Sequence, residues 1–306
     1  MDERDNASAP EALLSARKVD QVRARSRLGR QIVDVLNTDV RDWYERHRRS
    51  NATTPLVWTL CYVLVLMAVL VILLPFDTVQ VEGRYRLIKP LNFTASFATY
   101  LAVMVIFVDY LRVSEGWKKF ITWGISICIA TAITCITVQA ARGTTSHFNQ
   151  DTPFDAAVSM LMDIADPVNS IFVFILLLFA LQSKIDVSPP TRLGIVYGII
   201  IFLVGGVVGG LMVFKGQSGV GVAPGGPGLP VLNWSTIGGD LRVAHFLGVH
   251  AIQILPIAGW IIGSLDVFGR SMRAKRGLVV AVCAGYAFIT AFVFMQALSG
   301  APFVRI

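Results

Sequence analysis

Apolar runs long enough to cross a bilayer recur throughout this 306-residue chain. A helix needs roughly 20 mainly apolar residues to traverse the hydrocarbon core. There every backbone N–H and C=O must be satisfied within the protein, so such runs fold as helices. The pattern predicts seven spans, at about 56–75, 93–111, 120–141, 168–183 (with an earlier start), 193–214, 243–264 and 277–298. The predicted class is therefore all-α, a polytopic helical membrane protein. Composition agrees, with 54% hydrophobic and only 15% charged residues and a mean hydropathy of +0.62, where soluble domains carry about a quarter charged residues.

The net charge of +7 follows topology rather than a nucleic-acid-binding face. With the N-terminus inside, 20 of the 27 Lys and Arg residues fall on the inner side and 7 on the outer, so the positive-inside rule predicts N-in, C-out. The expected location is the bacterial cytoplasmic membrane. The first 50 residues are too polar for a cleavable signal, and the span near Leu56 is read as a retained signal-anchor. Residues 1–54 form a tail, residues 55–300 the seven-helix domain and residues 215–241 a Gly/Pro-rich outer loop. In the tail, Leu28, Ile32, Leu36, Val40 and Trp43 recur at helical spacing among basic residues. That pattern predicts an amphipathic helix on anionic inner-leaflet lipids, with a docking helix for a cytoplasmic partner as the alternative. Residues 1–10 are read as disordered.

Cys61, Cys128, Cys135 and Cys283 all lie in apolar segments without metal-ligand spacing, and read as packing residues. Gly194, Gly198, Gly205, Gly206, Gly209 and Gly210 form two small-residue rows in the fifth span, predicting close helix packing. Thr152, Pro153 and Asp155 have the order of a helix start, and the helix they open is expected to run to about Ser183 and kink at Pro167. The outer loop's apolar residues, among them Trp234, favour a lid folded over the membrane face.

Polar groups within apolar spans are costly and default to a functional reading. The sixth span, GGDLRVAHFLGVHAIQILPIAGW, carries Asp240, Arg242, His245, His250 and Gln253. At about 100° per residue, His250 and Gln253 share a face near the midplane, whereas His245 lies about 140° from His250. The two histidines are therefore not a chelating pair. Pro256 predicts a freed carbonyl at Ile252, and Gly238 and Gly239 predict exposed N–H groups that could seat an anion. Lys89, Arg142, His147, Asn149 and Trp234 lie at the same predicted outer level. Lys89, Arg142, Arg242 and the histidines are expected to form one ion-pair network with Asp155, Asp163, Asp166 and Asp240. Asp109 is expected to pair locally with Arg112.

The stretches IKPLNF, QAARGTTSHFN and GGPGLPVLNWSTIGGDLRVAHFLGVHAIQILP resemble a group of bacterial multi-pass membrane proteins with no assigned activity. These share KPxxF, RGxxSHFN and GPGLPxxxWSTxxGDLRVAHFxGxH motifs. The resemblance implies that Lys89, Arg142, His147, Asn149, Trp234, Asp240, Arg242, His245, His250 and Gln253 belong together, and it implies no activity.

Three functions remain open. One is a polar ligand-binding or transport site on the outer side, although no inverted repeat is visible. A second is a haem- or metal-binding redox protein with His147, His245 or His250 as ligands. The third is a structural or sensory subunit, possible also as a homo-oligomer. No P-loop, dinucleotide fingerprint or soluble catalytic domain is present, and no lysine within the last span points to retinal chemistry.

Overall fold

The computed structural model describes residues 9–268 and 271–305, with side chains from Leu28 onward except that of Val267. Of residues 1–10, expected to be disordered, 1–8 lie outside that range, whereas residues 9 and 10 open the first helix. Eight helices account for almost all regular structure: α1 Ala9–His47, α2 Thr54–Leu73, α3 Ile88–Asp109, α4 Glu115–Ala141, α5 Pro153–Leu181, α6 Pro189–Lys215, α7 Leu241–Ser264 and α8 Met272–Leu298. All but α1 are long and apolar enough to cross a membrane, and the chain is a multi-pass membrane protein. Two small antiparallel ladders, β1 Gln80–Val81 with β2 Arg84–Tyr85 and β3 Gly219–Val220 with β4 Gly239–Asp240, sit in the connections. These connections, with 142–152, gather at what is here termed the loop end; α1 lies at the other.

Hydrophobic packing centres on α3, where Leu101, Met104 and Val108 are fully enclosed together with Ile125 of α4, Leu176 of α5 and Ile199 of α6. Helix α6 packs closely along α7 because glycine removes the side chains that would hold the backbones apart. A Cβ on Gly205 would lie 2.8 Å from Gly248 Cα, and one on Gly198 2.9 Å from the Ala251 carbonyl oxygen. Gly209 accommodates the His245 ring in the same way, with a Cβ-to-Cε1 distance of 3.0 Å. The second row behaves differently. Gly210 has nothing within 4 Å, and Gly206 meets only Ser170. Pro167 and Pro256 both lie inside unbroken helices, so α7 does not open a gap at its midpoint.

Helix starts follow the local rules. Ser114, Thr152, Ser188 and Ser271 each accept a backbone N–H with the side chain, satisfying donors that have no partner in the first turn. Helix α5 begins at Pro153 and ends at Leu181, close to the span the capping signal predicted and well before residue 168.

Helix α1 is docked on the bundle through Trp43 of the predicted stripe and through polar groups. Ile32, Leu36 and Val40 are exposed, while polar groups make the bonds. Trp43 Nε1 donates to Asp109 Oδ2 at 2.9 Å, and the Trp260 Nε1 of α7 donates to Asp39 Oδ2 at 2.5 Å. Arg46 pairs with Asp186 at 2.8 Å, and His47 Nδ1 lies 3.0 Å from Asp109 Oδ2. Asp109 is thus bound by α1 and by Thr53 (3.3 Å), whereas Arg112 bonds Asp186. This replaces the expected local Asp109–Arg112 pair. Burial works against ionisation of Asp186, but hydrogen bonds from Arg46 and Arg112 outweigh it and hold the carboxyl below its ordinary range.

Candidate functional site

At the loop end the expected single ion-pair network resolves into separate pairs. Asp155, in the first turn of α5, takes Arg142 from the end of α4, Gln139 at 2.7 Å and Thr152 Oγ1 at 2.5 Å. Arg142 also lies over the Phe154 ring, 4.6 Å from its centroid. Asp77 pairs with Arg86 at 2.9 Å, and Arg86 reaches the Ala141 carbonyl at 3.0 Å. Asp240 pairs with Arg242 at 2.6 Å. Each pair is made by helix ends or loops that are neighbours at this level.

Asp163 and Asp166 are not members of the group. They lie two to three turns further along α5 than Asp155, on the order of 12–16 Å at about 1.5 Å per residue. Neither makes an ion pair among the described residues, and Asp166 is exposed on the bundle surface. Helical geometry therefore sets them apart from Asp155 and its partners.

Asp240 shows why the anticipated anion seat is already filled. Its side chain accepts from Arg242 N at 3.0 Å, and so caps α7 itself. It also accepts from Ser235 N at 2.9 Å and from Arg242 Nε at 2.9 Å. Gly238 N is bonded to Ser235 Oγ at 3.1 Å. The carboxylate occupies the helix N-terminus that the glycines were expected to offer.

Around these pairs stand cations without an acidic partner. Lys89, in the first turn of α3, and Arg84, on β2, make no side-chain hydrogen bond or ion pair among the described residues. A crevice beside them is lined by Glu82, Arg84, Arg86, Lys89, Ala140 and Thr144–Ser146. Arg84 is lowered by burial and by the charge of Arg242, with Glu82 acting the other way. Its guanidinium is charged nonetheless. The β1–β2 turn fixes this arrangement. Glu82 and Gly83 both have positive φ, 52° and 76°, as a two-residue hairpin whose turn matches strand twist requires.

His147 projects from the connection after α4. Its ring lies 5.8 Å from Phe93, and its Nδ1 is 2.9 Å from Ser146 Oγ. Burial, then the nearby charges of Lys89 and His245, push its pKa well below the ordinary histidine value. It is neutral at neutral pH. Asn149 is spent locally, donating to Thr144 Oγ1 at 2.9 Å and the Thr145 carbonyl at 3.2 Å. His245 faces α6, its Nδ1 2.8 Å from the Gly205 carbonyl.

His250 and Gln253 remain neighbours on α7. His250 Nε2 lies 3.4 Å from Ser96 Oγ of α3. The Gln253 amide, in the orientation its neighbours demand, donates to its own helix at the carbonyls of His250 (2.9 Å) and Val249 (3.2 Å). His245 and His250 therefore face different helices. No cluster of three metal-ligating side chains occurs among the described residues, and both oxygens of Asp240 are taken. Of the predicted set, the fold brings Lys89, His147, His245 and Arg242 into electrostatic reach of one another. It closes Arg142, Asn149 and Asp240 into local bonds, and leaves His250 and Gln253 deeper.

Sequence reasoning missed Arg84, Glu82, Arg86 and Asp77. The available signal was VEGRYRLIK, with three cations in six residues beside a two-residue turn. Compared with known proteins, the chain matches no family model, no curated protein and no solved structure.

Proposed function

We propose that the loop end binds a small polar anion, or the anionic group of a larger ligand, for capture or transport. Lys89 and Arg84 are the primary contacts, with Arg242, His147 and His245 around them. One observation carries this reading: three acids at this end are spent on Arg86, Arg142 and Arg242, and Lys89 and Arg84 are left with only Glu82 nearby and no bond to it. A cation in a partly enclosed crevice favours an anionic partner, because it has lost water without gaining a counter-charge. Neutral His147 adds a nitrogen able to donate or accept without adding repulsion.

The same proposal places the loop end outside, with α1 on the inner face of the bacterial cytoplasmic membrane. There Ile32, Leu36 and Val40 would rest on anionic lipids. The motif resemblance further assigns the chain to the bacterial group that carries those motifs.

The test is thermal unfolding of the full chain in neutral detergent, with sulfate or phosphate against chloride at matched ionic strength. A ligand at a hundred times its Kd stabilises by about 2.7 kcal/mol, a readily measured rise in midpoint. Lys89→Gln should abolish the rise and Lys89→Arg should keep most of it. A rise that is equal in wild type and Lys89→Gln would refute the site.

A further inference from the structure

The loop between α6 and α7 is tied down beside these cations. Asn92 Nδ2 of α3 donates to the Val231 carbonyl at 2.8 Å, and Asn233 Nδ2 donates to the Glu82 carbonyl at 3.2 Å. Arg242 holds the Asn233 carbonyl at 2.5 Å, and the Trp234 ring packs edge-on against Phe246 with centroids 5.5 Å apart. Val231 is held at φ 67°, a conformation unfavourable for a β-branched residue, so these bonds constrain the loop rather than let it wave.

The flank between α3 and α7 presents outward-facing side chains on both helices. The two helices meet where Ser96 approaches His250. Beside that point Ala95 and Thr99 of α3 are exposed, as are Phe246 at 37% and Ile254 at 46% on α7. On a membrane-spanning helix an exposed strip faces lipid. On α3 the strip leads to Lys89, which lies seven residues before Ser96 and so on the same helix face.

We propose that the anion held by Lys89 and Arg84 is the phosphate head of a membrane lipid, which arrives sideways between α3 and α7 and lays its chains along Phe246 and Ile254. This rests on the anion-site reading above and adds the ligand's class and its route. Charge complementarity supports it, since surplus cations stand at the end of the spans, where lipid phosphates lie. The outward-facing apolar strip supports it too, because a ligand dissolved in the bilayer can reach the site from the side.

The experiment uses the full chain in non-ionic detergent. Native mass spectrometry measures retention of dioleoyl phosphatidate against dioleoyl phosphatidylcholine, and thermal unfolding measures the response to inorganic phosphate. Ala95→Trp fills that flank at an exposed position, leaving the cations intact. Phosphatidate should be retained at least about tenfold better than phosphatidylcholine, a difference typical of one charge-assisted contact. Ala95→Trp should remove that preference and keep the response to phosphate, while Lys89→Gln should lose both and Lys89→Arg should restore both. If phosphatidate has no preference, or survives Ala95→Trp unchanged, while phosphate still acts through Lys89, the lipid is refuted and the anion site stands. If neither probe depends on Lys89 in a monodisperse variant, both fall.

Discussion

Asp240 illustrates how a single residue's role changes when its neighbours are known. In sequence it is a costly acid at the mouth of a span; in the fold it caps α7 and neutralises Arg242. Asp240→Ala should lower stability by on the order of 2 kcal/mol, combining a lost cap with a charge left without its partner, read as a drop in thermal midpoint. His147 gives a pH prediction of definite sign. Its folded pKa lies well below its ordinary value, so below about pH 6.5 the unfolded chain binds a proton that the folded chain does not. Stability is flat above that range and is lost as pH falls through it, at up to about 1.4 kcal/mol per pH unit. His147→Gln should flatten that part of the curve, measured as the wild-type-minus-variant midpoint between pH 7.5 and 5.5. An identical pH profile in the variant would remove His147 from the account.

At the scale of elements, helix α6 tests the packing argument within one sequence stretch. Gly205 faces Gly248 at van der Waals distance, and Gly210 faces open space. Gly205→Leu should therefore destabilise severely or prevent folding, because α7 would have to move. Gly210→Leu should leave stability within about 0.5 kcal/mol of wild type. The seven spans were legible because hydrophobicity alone specifies them in lipid. The start of α5 was legible only through its cap, since Asp155, Asp163 and Asp166 dilute the apolar signal there. The docking partners of α1 were not legible for a related reason. Its apolar stripe was visible, but docking is through Asp39, Trp43, Arg46 and His47, whose partners lie 62 to 221 residues away. Periodicity carries no record of such partners.

Among the described residues the ion pairs gather at two ends. The α1 end binds its charges into cross-helix bonds at Asp109 and Asp186, whereas the loop end pairs three arginines and leaves Lys89 and Arg84 over. Sequence placed Lys89, Arg142 and Arg242 at one level, but the choice of partner depended on which helix ends are neighbours, and that is a property of the fold. The hairpin carrying Arg84 and Glu82 went unnoticed because it reads as an ordinary short connection. The surplus of positive charge at Lys89 is the central claim, and a structure of the protein in saturating selenate tests it most directly. Anomalous signal from selenate should appear within hydrogen-bonding distance, about 3 Å, of Lys89 Nζ and the Arg84 guanidinium. Lys89 ion-paired to Glu82, with no anion in the crevice, would contradict it.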